Sequence, residues 1–413
     1  MGEREFCTFA VSVVKPPPSP SRRDVVCKRT ESQRIKTHRI LIMKYFTLPL
    51  LLPILFSCAP KSPLTDDVKI IEFEYTSSTP LYQCEWIEAI SFTPLQNSSL
   101  IGAESELRIL GDNLFVKHGP YTSTRIDRFN IRGEYRNRIG RDGRGPGEIS
   151  GLMSDWFLYS DTLLGINLYG HPSILLYDYD GNFNREVDHP STAFMVHSDG
   201  IHFWALMPHV SDSTSLICLS DTGEALKSML RSEKTYSVAA DLWRPFFKTN
   251  GKLYIGMPYH NTIFLAQKDT IIPAFIIEAG KYEIPPEYYD DPFVAFRPLR
   301  QKGYAFVYNF LESNDYFVIQ VVIRQDEFEG MIWGINNKRT DKWFWSDLER
   351  WSSKQETFEY KTADITEDNR LMILIHQDEL KELLPFMKNP LNPQVVMPLN
   401  ENDNPVLVEI RLI

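Results

Sequence analysis

Cysteine is scarce in this chain. Its five cysteines, Cys7, Cys27, Cys58, Cys84 and Cys218, include no CxxC pair, which excludes the zinc-ribbon and dithiol-redox classes. No GxSxG and no HExxH occurs, so neither a serine-hydrolase elbow nor a zinc-protease helix is written here. The apolar stretch from Phe46 to Phe56 is interrupted by Pro49 and Pro53. It falls short of the about 20 residues that a membrane-spanning helix needs. Positive charge is in deficit, with 44 Lys and Arg against 54 Asp and Glu and a formal net charge of -10. Residues 1–42 hold nine of those basic residues and only four acidic ones, so the remainder is more acidic still. Such a surface repels polyanions, and no nucleic-acid partner is expected.

What the chain does have is a turn that returns six times. Asp112-Asn113, Asp161-Thr162, Asp199-Gly200, Asn250-Gly251, Asn314-Asp315 and Asp368-Asn369 each sit between two apolar runs. A second series interleaves with it: Arg132-Gly133, Asp180-Gly181, Thr222-Gly223, Lys268-Asp269 and Thr340-Asp341. Two-residue hairpin turns of the primed types need positive φ, which Gly and Asn tolerate. The flanking runs are short and rich in aromatic and β-branched residues, as strands are. Two tight turns per unit describe a four-stranded antiparallel blade. The spacing therefore predicts an all-β, six-bladed β-propeller over residues 68–413, in preference to a two-sheet sandwich. The sixth unit lacks one outer strand. Val68 to Phe73 is the expected supplier, closing the ring by pairing the N- and C-terminal strands. Residues 376–404 are expected to carry a short helix, Gln377 to Met387, inside a Pro/Asn-rich insertion.

The N-terminal region has a different logic. Met43-Lys44-Tyr45 opens a positive n-region, an apolar run follows, and Leu55-Phe56-Ser57-Cys58 ends it. This is the pattern of a bacterial lipoprotein signal over residues 43–58, with Cys58 as the acylated residue and the lipid as the membrane contact. Residues 59–67 form a polar linker. Residues 1–42 resemble neither signal nor fold, and translation is expected to start at Met43, the alternative being a disordered basic leader. With Cys58 lipidated and residues 1–42 absent, Cys84 and Cys218 remain, and an oxidising compartment would permit a disulfide between them. Ala59-Pro60-Lys61-Ser62 carries no acidic cluster, which favours the periplasmic side of the outer membrane over the cell surface.

Between the first two units stands Ile139-Gly140-Arg141-Asp142-Gly143-Arg144-Gly145-Pro146-Gly147-Glu148. It lacks the Lys-Ser/Thr pair of a phosphate loop. Its glycines suit a crossover in which the backbone bends close to a neighbouring sheet. The run resembles the "IGxxGxGPGE" element of six-bladed propeller lipoproteins related to the TolB-like and NHL-type propellers. The stretch His260-Asn261-Thr262-Ile263-Phe264 with Ile272-Pro273-Ala274-Phe275 and Gly280, and the tail Asp403-Asn404-Pro405-Val406-Leu407-Val408, are similar to further elements of that family. The resemblance implies a propeller fold and an envelope location. It implies no reaction.

Five of the nine histidines fall at one equivalent loop, after the second strand of a unit: His118, His171, His209, His260 and His376. A ring of imidazoles on one face would suit an anionic or metal-bearing ligand. His-Pro is also an ordinary turn, and loops on different blades stand too far apart to share one metal ion. Asp178-Tyr179-Asp180-Gly181-Asn182 lacks the Gly and Glu that a calcium loop requires at its sixth and twelfth positions, and reads as a hairpin turn. Trp343, Phe344, Trp345 and Trp351 could stack on sugar rings, but blade packing explains them more simply. No cofactor is predicted, and a divalent metal has no motif to support it. The expected function is a lipid-anchored scaffold for a protein, carbohydrate or other small-molecule ligand. The competing class is a calcium-dependent lactonase or lyase with its site at the central channel.

Overall fold

The computed structural model describes residues 68–73, 79–102, 105–120, 123–190, 193–207, 214–231, 244–256, 261–285, 298–299, 301–326, 328–346, 349–352 and 362–413. The expected signal segment with Cys58, the linker, and the loop residues His209 and His260 lie outside them.

Six antiparallel sheets follow one another along the chain. Blade 1 runs through Glu106–Leu110, Asn113–His118, Arg125–Asn130 and Tyr135–Ile139. Blade 2 comprises Met153–Leu158, Leu163–Leu168, Ser173–Asp178 and Phe183–Asp188, and blade 3 comprises Met195–Ser198, Phe203–Leu206, Thr214–Leu219 and Ala225–Arg231. Blade 4 is built from Phe246–Thr249, Lys252–Gly256, Thr262–Gln267 and Thr270–Glu278. Blade 5 is built from Tyr304–Glu312, Tyr316–Arg324, Phe328–Asn337 and Lys342–Trp345, with Glu349–Ser352 also pairing to its third strand. Blade 6 takes Ala363–Ile365, Arg370–Ile375 and Val406–Leu412 from the end of the chain and Ile87–Pro94 from its beginning.

Each blade is covered on both faces by its neighbours, so its second strand is apolar nearly throughout rather than alternating. All four residues of Phe203–Leu206 are buried, as are five of six in Leu163–Leu168. Outer strands such as Phe183–Asp188 are mostly exposed. The core is accordingly divided into wedges, one between each pair of adjacent blades. Phe115, Trp156 and Tyr177 pack between blades 1 and 2, and Phe157, Phe203 and Leu219 between blades 2 and 3. Leu107, Leu114, Met372 and Leu407 pack between blades 1 and 6, which makes the ring complete.

Closure differs in one respect from the sequence expectation. The strand that pairs with Val406–Leu412 is Ile87–Pro94, with Ile90 opposite Ile410 and Phe92 opposite Val408. The expected supplier, Val68 to Phe73, instead contributes Lys69–Glu72, which lies parallel to Thr270–Glu278 on the outer edge of blade 4. Its alternation explains the choice. Ile71 and Phe73 point into the wedge between blades 4 and 5, where Phe73 meets Trp345 edge to face at 5.2 Å. The insertion then latches the closing strand. Asn392 donates to Phe92 O and accepts from Phe92 N–H, both at 2.9 Å, and Leu391 N–H donates to Ile90 O at 2.9 Å. This covers an edge that would otherwise offer unpaired backbone groups. The helix of the insertion, Gln377–Leu383, is shorter than expected and continues as a 3-10 turn, Leu384–Phe386.

The second turn series serves as the spacer between blades. Gly133, Gly181 and Gly223 all have positive φ, and a Cβ at each would overlap a backbone carbonyl of the preceding blade's outer strand: Pro94, Arg138 and Asp188 respectively. Blades 4 and 5 use side chains at the same place, Lys227 with Asp269 and Lys69 with Asp341.

Two predictions follow from this packing. Gly251→Ala, at positive φ in open space, should cost about 1 kcal/mol from backbone strain alone. Gly223→Ala should cost about 2 kcal/mol more through steric overlap. Urea titrations of both variants check the difference. A chain starting at residue 79 should still fold cooperatively, whereas one starting at residue 96, without Ile87–Pro94, should lose its cooperative melt in calorimetry.

Candidate functional site

The first strand of every blade lies innermost, and these strands carry charged residues where burial would favour apolar ones. Glu106, at the start of the first strand of blade 1, pairs with Arg244 at 2.9 Å. Arg244 immediately precedes the first strand of blade 4, separated from it by Pro245 alone. Blades 1 and 4 stand opposite one another in a ring of six, so this ion pair crosses the axis. Glu106 also pairs with Lys117 and accepts from Trp156 Nε1–H at 2.9 Å. The Arg244 guanidinium sits over the Tyr308 ring of blade 5, 4.9 Å from its centroid. Burial alone would raise the Glu106 pKa. Arg244, Lys117 and the indole outweigh it and hold the carboxylate well below the usual range.

Arg108 stands two residues further along the same strand. Its guanidinium lies 5.3 Å from the Trp156 ring centroid, and its buried Nε has no hydrogen-bond partner. Around it are two carboxyls and two basic groups. Asp155 of blade 2 accepts Trp156 N–H at 2.8 Å, and burial, only partly offset by Arg108, pushes it up to about 7. Asp364 of blade 6 accepts Ile109 N–H at 2.7 Å and Ile365 N–H at 2.8 Å, and burial pushes it up to about 6. Lys248 of blade 4 donates to Leu158 O at 2.8 Å and Tyr159 O at 3.3 Å, and burial lowers it to about 8.

His197 of blade 3 completes the set. It is fully buried, between the rings of Phe157 at 5.0 Å and Phe246 at 5.6 Å. Burial first, then the charges of Arg108 and Lys248, hold it neutral. Its Nδ1 accepts Ser198 N–H at 2.9 Å, a shorter contact than the 3.3 Å to Ser198 O, and in that arrangement the ring proton sits on Nε2. That Nε2 has no partner. All six blades thus bring polar groups to the axis. Among the described residues, no group of three or more His, Cys, Asp or Glu is arranged to hold a metal ion.

The described residues among those singled out from the sequence lie elsewhere. His118 is buried within blade 1, its Nε2 2.7 Å from Asp127 Oδ2, and Ser99 Oγ donates to the same carboxylate oxygen. The carboxylate lies between the hydroxyl and the imidazole, so this is no nucleophile–base pair. His171 is 40% exposed, with its Nδ1 2.8 Å from Ser173 Oγ. His376 precedes the short helix, and its carbonyl accepts Leu380 N–H at 2.8 Å. The glycine run crosses from blade 1 to blade 2 and folds around Glu148, which accepts Gly145 N–H at 2.7 Å and pairs with Arg141 at 3.0 Å. A Cβ at Gly143 would overlap the Glu148 carboxylate, and one at Gly147 the Phe183 ring. Gly140, at positive φ, packs under Tyr177, and Pro146 lies within the same loop. The permitted disulfide is absent: Cys84 and Cys218 are both free and buried, in separate wedges. Trp343 and Trp345 stack on each other at 5.0 Å, and Trp345 is in the core; the Trp351 side chain lies outside the described set.

Sequence reasoning missed the axial set. The available signal was an ionisable residue inside five of the six first strands, at Glu106, Arg108, Asp155, His197, Lys248 and Asp364.

The raised Asp155 predicts a pH signature. The unfolded carboxyl ionises near its ordinary value, and the folded one only near 7. Stability is therefore lost as pH rises through that interval. Asp155→Asn should stabilise the fold by a few kcal/mol at pH 8 and by almost nothing at pH 4, a difference that melts at the two pH values would reveal.

No curated protein is similar to the chain. Among solved structures, a putative exported protein of Bacteroides fragilis NCTC 9343 matches with a TM-score of 0.64 at 18% identity, over 84% of this chain and 100% of that one. A member of the DUF4221 family from Bacteroides vulgatus ATCC 8482 matches with a TM-score of 0.51 at 11% identity, over 79% and 97%. Both share the fold. The family described as a domain of unknown function, DUF4934, matches residues 68–411, from the strand along blade 4 to the closing strand of blade 6, and the chain belongs to that family.

Proposed function

We propose that this protein is a lipid-anchored envelope propeller that binds a small ligand at its axis and serves as a receptor-like scaffold. The observation that carries this reading is the convergence of Glu106, Arg108, Asp155, His197, Arg244, Lys248 and Asp364 on the centre of the ring. Buried polar groups cost free energy unless each is satisfied. A ring selected for stability alone would fill its axis with apolar side chains, as the wedges between its blades are filled. Here two buried axial nitrogens, on Arg108 and His197, stay unpartnered.

The envelope address rests on Met43 to Cys58. The exported relative in fold supports it. Among the described residues no helix is long and apolar enough to cross a membrane, and in this reading the lipid on Cys58 is the anchor, on the periplasmic side of the outer membrane. Kinship with the TolB-like and NHL-type propellers, carried by the crossover glycines and the Asp403–Val408 tail, belongs to the same proposal.

Two measurements test it. Intact-mass analysis of protein extracted from membranes should show a diacylglyceryl-sized addition that Cys58→Ser abolishes; an unmodified mass for the wild type would refute the anchor. Native mass spectrometry of the gently extracted protein should retain a small-molecule mass that raises the melting temperature when added back. A bare polypeptide mass, with no shift across a panel of sugars, organic acids and peptides, would refute the axial receptor.

A further inference from the structure

We propose that Arg108 is the anchor of the axial site and that it clasps the carboxylate of a small monoanionic ligand, with His197 Nε2–H as a second donor. This rests on the axis being the ligand seat.

A guanidinium offers five N–H donors and no acceptor. Arg244, the other axial arginine, spends its charge on Glu106 at 2.9 Å. The Arg108 side chain makes neither a hydrogen bond nor an ion pair among the described residues; it lies over the Trp156 ring and feels Asp155 and Asp364 only at longer range. The contact with the Trp156 ring, 5.3 Å from its centroid, supplies no acceptor to the guanidinium and leaves the buried Nε–H unpaired. The nearby acids do not fill that role. Asp364 spends both oxygens on the N–H groups of Ile109 and Ile365, and Asp155 accepts from Trp156 N–H. Neither lies within ion-pair distance of Arg108 in the structure.

The second donor is independent of the first. His197 is 0% exposed, its Nδ1 is committed to the Ser198 backbone, and its Nε2 has no partner. Leaving a buried N–H unpaired costs about as much as a lost hydrogen bond, so the atom is explained by an acceptor that arrives with a ligand. Arg108 and Lys248 are the cations whose charges reach the imidazole. Lys248 already donates to two carbonyls and has one N–H left.

Charge balance selects the class of ligand. Arg108 and Lys248 supply two positive charges, and Asp155 and Asp364 stand beside Arg108 as partly ionised acids. A dianionic phosphate would add repulsion from both carboxyls, whereas a single carboxylate matches the guanidinium fork and the net charge.

The test uses the full chain and small probes. At constant ionic strength, sodium formate or acetate replacing chloride should raise the melting temperature by about 2 °C. Arg108→Gln and Arg108→Lys should both lose the shift, since lysine keeps the charge but not the fork, and His197→Gln should weaken it. Without added anion, Arg108→Met should melt at a higher temperature than wild type, because a cation with no hydrogen-bonded counter-ion is removed from the axis. Equal melting in acetate and chloride, a phosphate shift exceeding that of acetate, or a lower melting point for Arg108→Met would each overturn the proposal. Retention by Arg108→Gln of an uncharged small-molecule mass in native spectra would overturn the carboxylate clasp while leaving the axial receptor intact. An acetate shift that depends on Arg108, in protein that carries no retained ligand, would support the clasp and count against the broader reading.

Discussion

No blade of this protein can bury its two faces alone. Each sheet is apolar on both sides, and the second strands of blades 2, 3 and 6 are buried almost throughout. The apolar area leaves water only when a neighbour lies on each face, so the six wedges form together or not at all. That condition places the decisive contact at the seam, where Ile87–Pro94 joins Val406–Leu412. The wedge between blades 1 and 6, built on Leu107, Leu114, Met372 and Leu407, exists only because that seam is closed. The Asn392 latch reinforces that seam from outside, while the Lys69–Glu72 strap lies on the outer edge of blade 4.

The radial order of the ring then sets two chemical environments. Between blades, dispersion and burial dominate, and the rings of Phe115, Trp156, Phe203 and Trp333 fill space without polar demand beyond an indole N–H. At the axis six strand edges meet with no sheet to cover them, and ionisable groups from several blades come together. Glu106 and Arg244 show how such groups become stable: opposite charges across the ring, each with further partners. Arg108 and His197 show the opposite condition, a cation and a donor held in place by aromatic rings but left without acceptors. The same low-dielectric setting strengthens the first arrangement and makes the second costly. Geometry that persists despite a cost is where a ligand is expected to act.

Much of the fold could be read from residue order, because the signals involved are local. A positive-φ turn needs Gly, Asn or Asp whatever surrounds it, so the positions at Gly133, Gly181, Gly223, Asn250 and Asn369 announce themselves. Their even spacing yields the blades, and the crossover glycines 140, 143 and 147 mark a backbone pressed against Ile149, Glu148 and Phe183. The seam strand was less visible. Ile87–Pro94 mixes Glu88, Ser91 and Thr93 among apolar residues, and its partner lies some 320 positions away, so no local preference distinguishes it from the more uniform Val68 to Phe73.

The functional site was hidden for the same reason. The loop histidines share a position within each repeat, which a sequence displays, but His118 turns inward to Asp127 while His171 stays half exposed beside Ser173. The axial residues share no motif; they share only distance from the axis. Sequence by itself determined the local geometry, meaning where the chain turns, which runs are strands and how many blades result, because those follow from the φ preferences and side-chain alternation of neighbouring residues. Only the closed ring decided which charges meet, since Glu106 reaches Arg244 across 138 positions of chain and a Coulomb pair depends on separation in space, to which order along the backbone is indifferent.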